Sequence, residues 1–116
     1  MGDRMELRVG KMTRRRGHVR NVLTIFERRG RKKTVRATPK EIFRRYCREK
    51  GMRYTQERDV IIEEIYREDI HFDVDSLFMR IREHFPQWRI AKGSIYRNIA
   101  PLLKAGLIRE SYMEDG

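Results

Sequence analysis

The chain has 116 residues, enough for one domain with a modest core. Its 28 Lys and Arg against 17 Asp and Glu give a formal charge of +11, which favours a polyanionic partner. A single cysteine, Cys47, excludes an internal disulfide and a Cys-x-x-Cys zinc site, and no apolar run reaches the roughly 18 residues of a membrane span.

The charge is unevenly placed. Residues 1–40 hold 14 Lys and Arg against 3 Asp and Glu, whereas residues 41–116 hold 14 of each. Residues 1–37 therefore read as a basic, disordered N-terminal arm. Residues 1–20 are Arg-studded with no lasting period. Val22, Leu23, Ile25 and Phe26 form an apolar patch that suits a short helix or strand, and residues 27–37 read as a flexible linker. Such an arm can neutralise phosphates whatever the base sequence; a solvated tail is the competing reading. The arm shares its Arg-rich, acid-poor character with mitochondrial presequences, but no Ser precedes residue 76. Arg29–Lys33 could pass as a nuclear signal, although such basic runs arise often by chance. A cytoplasmic location fits the whole chain better.

Ordered structure is expected from Thr38-Pro39-Lys40-Glu41, where Thr38 can cap, Pro39 takes the first helical position and Glu41 completes a capping box. Ile42, Phe43, Tyr46 and Cys47 then share one face, and Gly51 ends this first helix. Thr55 caps a second helix whose core stripe is Val60, Ile61, Ile62, Ile65 and Tyr66. Asp73 caps a third with Leu77, Phe78, Ile81 and Phe85 inward, stopped by Pro86. A fourth helix runs from about Ala91 to Lys104, with a kink expected at Pro101. Leu107 to Met113 reads as a strand, and Glu114-Asp115-Gly116 as the start of a hairpin turn. A hairpin needs two strands, so this one reads as incomplete.

The most informative stretch is Gly93-Ser94-Ile95-Tyr96-Arg97, followed by Leu102-Leu103 and Ala105-Gly106-Leu107-Ile108. Tyr96 and Arg97 project side by side from the first turns of a helix that is anchored on its other face and ended by a Gly. In a major groove, Arg can bond bidentately to guanine while an aromatic ring packs on a thymine methyl. Upstream stand Gly51-Met52-Arg53-Tyr54-Thr55-Gln56-Glu57-Arg58 and His71-Phe72-Asp73-Val74-Asp75-Ser76-Leu77. In order and spacing these three segments resemble the DNA-binding domain of the ferric uptake regulator family, over about residues 40–116.

The resemblance implies a mainly α fold with a small β wing, a winged helix-turn-helix of three to four helices. Residues 38–116 would be that domain, its wing incomplete and the family's dimerisation domain absent. It implies a repressor of an A·T-rich operator in double-stranded DNA, metal-responsive in a full-length parent. Tyr96 and Arg97 match the base-reading pair, and Ser94 stands where a Thr contacts phosphate. Lys92 and Asn98 are backbone neighbours. Arg53 matches a basic residue that enters the minor groove, and Arg58 a phosphate contact, with Thr55 serving as a cap. His71 matches the position of one regulatory metal ligand, but a single imidazole makes no specific site and a turn residue is the plainer reading. Zinc and iron or manganese are implied for a full-length member, with no complete site in this chain. Homodimers are implied for a longer parent.

His18 and His84 carry no signal, and helical faces and caps account for Glu63-Glu64 and Asp73/Asp75. No Ser/His/Asp ordering or Gly-rich phosphate loop argues for an enzyme. Two other readings stay open: a non-specific nucleic-acid-coating protein that uses the arm, and an inactive or interaction-only fragment.

Overall fold

Each of the first three helices begins on a side chain that caps it. The computed structural model of the chain describes residues 6–10, 12–14, 21–27, 31–67 and 71–111. It places α1 at Pro39–Glu49, α2 at Gln56–Ile65 and α3 at Val74–His84. Thr38, Thr55 and Asp73 accept from the amides of Glu41, Arg58 and Ser76. Such a cap contributes about 1 kcal/mol by satisfying a donor the helix cannot. The Thr38 hydroxyl also donates to Glu41 Oε1 at 3.2 Å, so the capping box closes through the hydroxyl rather than the Thr38 amide. Gly51, at φ 68°, turns the chain out of α1 as only a residue without Cβ does cheaply.

After a 3-10 turn at Pro86–Trp88, α4 spans Lys92–Lys104. It continues as one helix through Pro101. Pro101 withholds an amide from the Arg97 carbonyl, yet its own carbonyl accepts from Ala105 N at 2.9 Å and the last turn continues. The helices close on Phe43 and Cys47 of α1, Val60, Ile61, Ile62 and Ile65 of α2, Leu77 and Ile81 of α3, and Ile95, Ile99 and Leu102 of α4, all buried. Fully burying each large aliphatic chain contributes about 1.5–3 kcal/mol. The architecture is mainly α with small antiparallel sheets, as a winged-helix fold requires.

The N-terminal stretch departs from the expectation of a disordered arm and a flexible linker. It forms β1 at Glu6–Val9, β2 at Met12–Arg14, β3 at Asn21–Phe26 and β4 at Lys32–Arg36. With β5 at His71–Phe72 and β6 at Ile108–Ser111, two three-stranded antiparallel sheets result, ordered β5-β1-β6 and β2-β3-β4. β1 alternates in burial, with Leu7 and Val9 turned into the helical core and Leu23 of β3 joining them. High charge masks a period-2 pattern only four residues long.

β1 also supplies the ladder partner that a lone C-terminal strand would lack. Val9 stands opposite Ile108 and Glu6 opposite Ser111, while Leu7 faces Phe72 on the other side. His71 is thereby a strand residue opposite Arg8, not the turn residue expected. The expected hairpin turn at residues 114–116 lies outside the described residues.

Two glycines sit where the sheets meet α4. A Cβ on Gly10 would collide with the Thr24 carbonyl, and Gly10 N donates to Leu107 O at 2.9 Å. Gly106, at φ 80°, passes so close to Phe26 that a Cβ would strike its carbonyl, and Phe26 N donates to Gly106 O at 2.7 Å. Backbone meets backbone here, and a side chain of any size would separate the layers.

Glu64 departs from the solvated helical face read in the sequence. It is fully buried. His84 Nδ1 lies 2.6 Å from its Oε1 and Arg67 Nε 3.3 Å, with Arg80 Nε 3.6 Å from Oε2. A buried carboxylate persists when cations compensate it, and this one ties α2 to the end of α3.

Candidate nucleic-acid interface

Helical periodicity gives α4 two faces. Ile95, Ile99 and Leu102 point into the core, whereas Gly93, Tyr96, Arg97, Ala100 and Lys104 recur at i, i+3, i+4, i+7 and i+11 on the exposed side. Tyr96 is 55% exposed, among the few large hydrophobic side chains left in water in the described residues. The helix contains no acid. Gly93 and Ala100 flank the Tyr96–Arg97 pair with small side chains, so the helix backbone can approach a ligand surface closely.

Behind this face runs a chain of hydrogen bonds that joins α4 to α2. Arg97 Nη2 donates to Ser94 Oγ at 3.0 Å. Asn98 Nδ2 donates to the Ser94 carbonyl at 2.8 Å, and Asn98 Oδ1 accepts from Arg58 Nε at 2.8 Å. Arg58 Nη1 donates to the Arg53 carbonyl. The Arg58 amide in turn donates to Thr55 Oγ1 at 3.2 Å, the capping role read for Thr55.

Five of the residues singled out in the sequence, Arg53, Arg58, Ser94, Arg97 and Asn98, are thus brought together. Their standing differs from the sequence reading in two places. Asn98 and Ser94 are buried, at 4% and 5% exposure. Asn98 is not a surface neighbour of a ligand backbone; both ends of its amide are used inside the protein. Arg53, Tyr96 and Arg97 are exposed.

Lys92 stands apart from this chain. Its Nζ lies 2.7 Å from Asp75 Oδ1 and 5.4 Å from the Phe78 ring centre. The Asp75 carboxylate holds the ammonium above its ordinary pKa. His71 belongs to another element again, β5. Among the described residues no three His, Cys, Asp or Glu side chains group as metal ligands. The described residues around His71 therefore do not fit the metal site that the resemblance implied. Burial pushes the Cys47 thiol up, consistent with an inert core position.

A second cationic surface lies outside α4. On β4, an edge strand, Lys32, Lys33 and Arg36 are exposed. Edge lysines also discourage unwanted strand pairing, so this row has a structural use independent of any ligand.

Comparison with known proteins supplies the family. The model of the ferric uptake regulator family matches residues 49–116, a span that contains every candidate contact on α2 and α4. A ferric uptake regulation protein of Campylobacter upsaliensis is 31% identical over 68 residues, covering 59% of this chain and 44% of that protein. One from Campylobacter jejuni subsp. jejuni serotype O:2 is 29% identical over 68 residues, covering 59% of this chain and 43% of that protein. The match thus spans less than half the length of these curated relatives. With more than half of its own residues matched, the chain belongs to the ferric uptake regulator family.

Proposed function

We propose that the chain is a sequence-specific DNA-binding transcriptional regulator, a repressor that lays α4 in the major groove of double-stranded DNA. The observation that carries this reading is the division of α4: an apolar face fixed in the core, and an acid-free outer face presenting Tyr96 and Arg97. In this reading Arg97 bonds to a guanine edge and Tyr96 packs on a thymine methyl. Arg53, just before α2, enters the adjoining minor groove, whose A·T-rich tracts concentrate negative potential. Arg58 reaches phosphate with donors not used toward Asn98 and Arg53. Repression is steric, since a protein seated on the operator excludes polymerase. In this reading the protein works in the cytoplasm of a bacterial cell, where its operator is.

A second reading rests on the exposed cations of β4 and the excess charge of residues 1–40: non-specific coating of nucleic acid. Competition titration of the intact chain against a randomised duplex library at fixed salt separates the two. A regulator enriches a defined site well above random duplex. A coating protein shows salt-dependent binding with no enrichment, and that result would reject the first reading.

A further inference from the structure

We propose that Asn98 and Arg58 are positioning residues that lock the Arg53 segment to α4, so that the two DNA-facing elements read in fixed register. This rests on the reading of α4 as the DNA-contacting helix. Asn98 occupies a core-side position of α4 beside Ile95, Ile99 and Leu102, where an aliphatic side chain would pack without needing a partner. A buried amide there costs stability unless both its ends are satisfied. Both are, at 2.8 Å each, and the acceptor end is spent on a residue 40 positions earlier in the chain.

The partner is an arginine, and its shape matters. A guanidinium presents its N–H groups in one rigid plane, so the bond from Nε to Asn98 fixes the direction of Nη1 toward the Arg53 carbonyl. The next residue, Tyr54, is held from the other side by its hydroxyl on Asp59 at 2.9 Å and by the Phe43 ring. The Arg53 backbone is therefore pinned between two fixed points, which sets where its exposed side chain leaves the surface. At the other end of the same chain, Ser94 is tied through its carbonyl to Asn98 and through its hydroxyl to Arg97. One link thus orients both the minor-groove candidate and the base reader.

The role differs from that of a phosphate contact in a measurable way. A lysine at position 58 keeps the charge but cannot form the planar fork. Arg58→Lys and Asn98→Leu should both blur base preference at two separate places in the site, one facing Arg97 and one facing Arg53. Discrimination between the best duplex and random duplex should fall by roughly 5-fold or more, the scale of a coupling between sites, and by more than affinity for random duplex falls.

The experiment has two arms. In the free protein, the Arg58 Nε–H signal in NMR should exchange slowly with water, and Asn98→Leu should abolish that protection while the remaining spectrum stays folded. With DNA, library selection should show the paired loss of preference in each variant. An Arg58 Nε–H that exchanges freely in the wild type overturns the link without reference to DNA. With DNA, Arg58→Lys with a wild-type preference profile also overturns the link, since Arg58 would then be a phosphate contact alone. A wild type that enriches no site, with Arg58 Nε–H still protected, fails the reading of α4 and with it the proposed register.

Discussion

Residues 1–40 and 41–116 carry the same number of cations, 14 each, but use them differently. In the helical part several charges are answered internally. Lys92 meets Asp75, Arg67 and Arg80 meet Glu64, and Lys40 reaches over from the boundary to Asp59 and Glu63 at 3.3 and 2.6 Å. Arg58 and Arg97 stand out because their guanidinium bonds run to neutral groups, the Arg53 carbonyl and the Asn98 amide for the one and the Ser94 hydroxyl for the other. In the stranded part Lys32, Lys33 and Arg36 line an exposed edge. The difference separates two physical jobs. A few arginines aimed by neutral partners can discriminate, while a row of solvated cations can only attract phosphate.

The comparison breaks first if the stranded part is merely an appendage. Leu7 is fully buried in the common core, so Leu7→Ala should cost about 2–5 kcal/mol of stability. Urea denaturation followed by circular dichroism of the helices gives the answer. A midpoint equal to wild type would mean the helical part stands without β1. A smaller loss is expected at the α2 start, where Thr55→Ala removes the acceptor for the Arg58 amide. About 1 kcal/mol should go, visible as a lowered melting temperature.

The strand edge sharpens the comparison from the other side. Lys32→Ser with Lys33→Ser should leave base preference intact and flatten the plot of log K against log salt by roughly 0.9 for each phosphate no longer neutralised. An unchanged slope would assign those lysines to edge protection alone. The least effect belongs to Cys47. Its thiol is buried and its pKa raised, so it stays protonated and shielded at neutral pH. Alkylation in the native protein should be far slower than in urea; equal rates would show that α1 does not pack as described.

Legibility in the sequence follows the range of the interactions. Thr38, Thr55 and Asp73 act within three residues of themselves, and each caps the helix its neighbours announce. The core stripes of α2 and α3 repeat at helical spacing and are equally readable. β1 carries no such local signature, because its partners lie at residues 71–72 and 108–111. Gly10 looks like an ordinary loop glycine, and Gly106 like one that merely ends a helix, until the backbone they approach is known. At the candidate interface, Tyr96 and Arg97 are legible from their place on α4, but Asn98 is not. Its burial depends on Arg58 arriving from α2, which spacing along one helix cannot reveal. Glu64 is hidden in the same way, since its compensating His84 and Arg80 come from α3.

The central claim is that the outer face of α4 reads base sequence. It is tested most directly by selecting duplexes from a randomised library with the intact chain and with Arg97→Ala at the same salt concentration. The account predicts that Arg97→Ala loses preference at one base position, at a cost of about 1–3 kcal/mol against the best site, while affinity for random duplex changes much less. A preference profile identical to that of the intact chain would contradict it, and would place the reading of sequence somewhere other than α4.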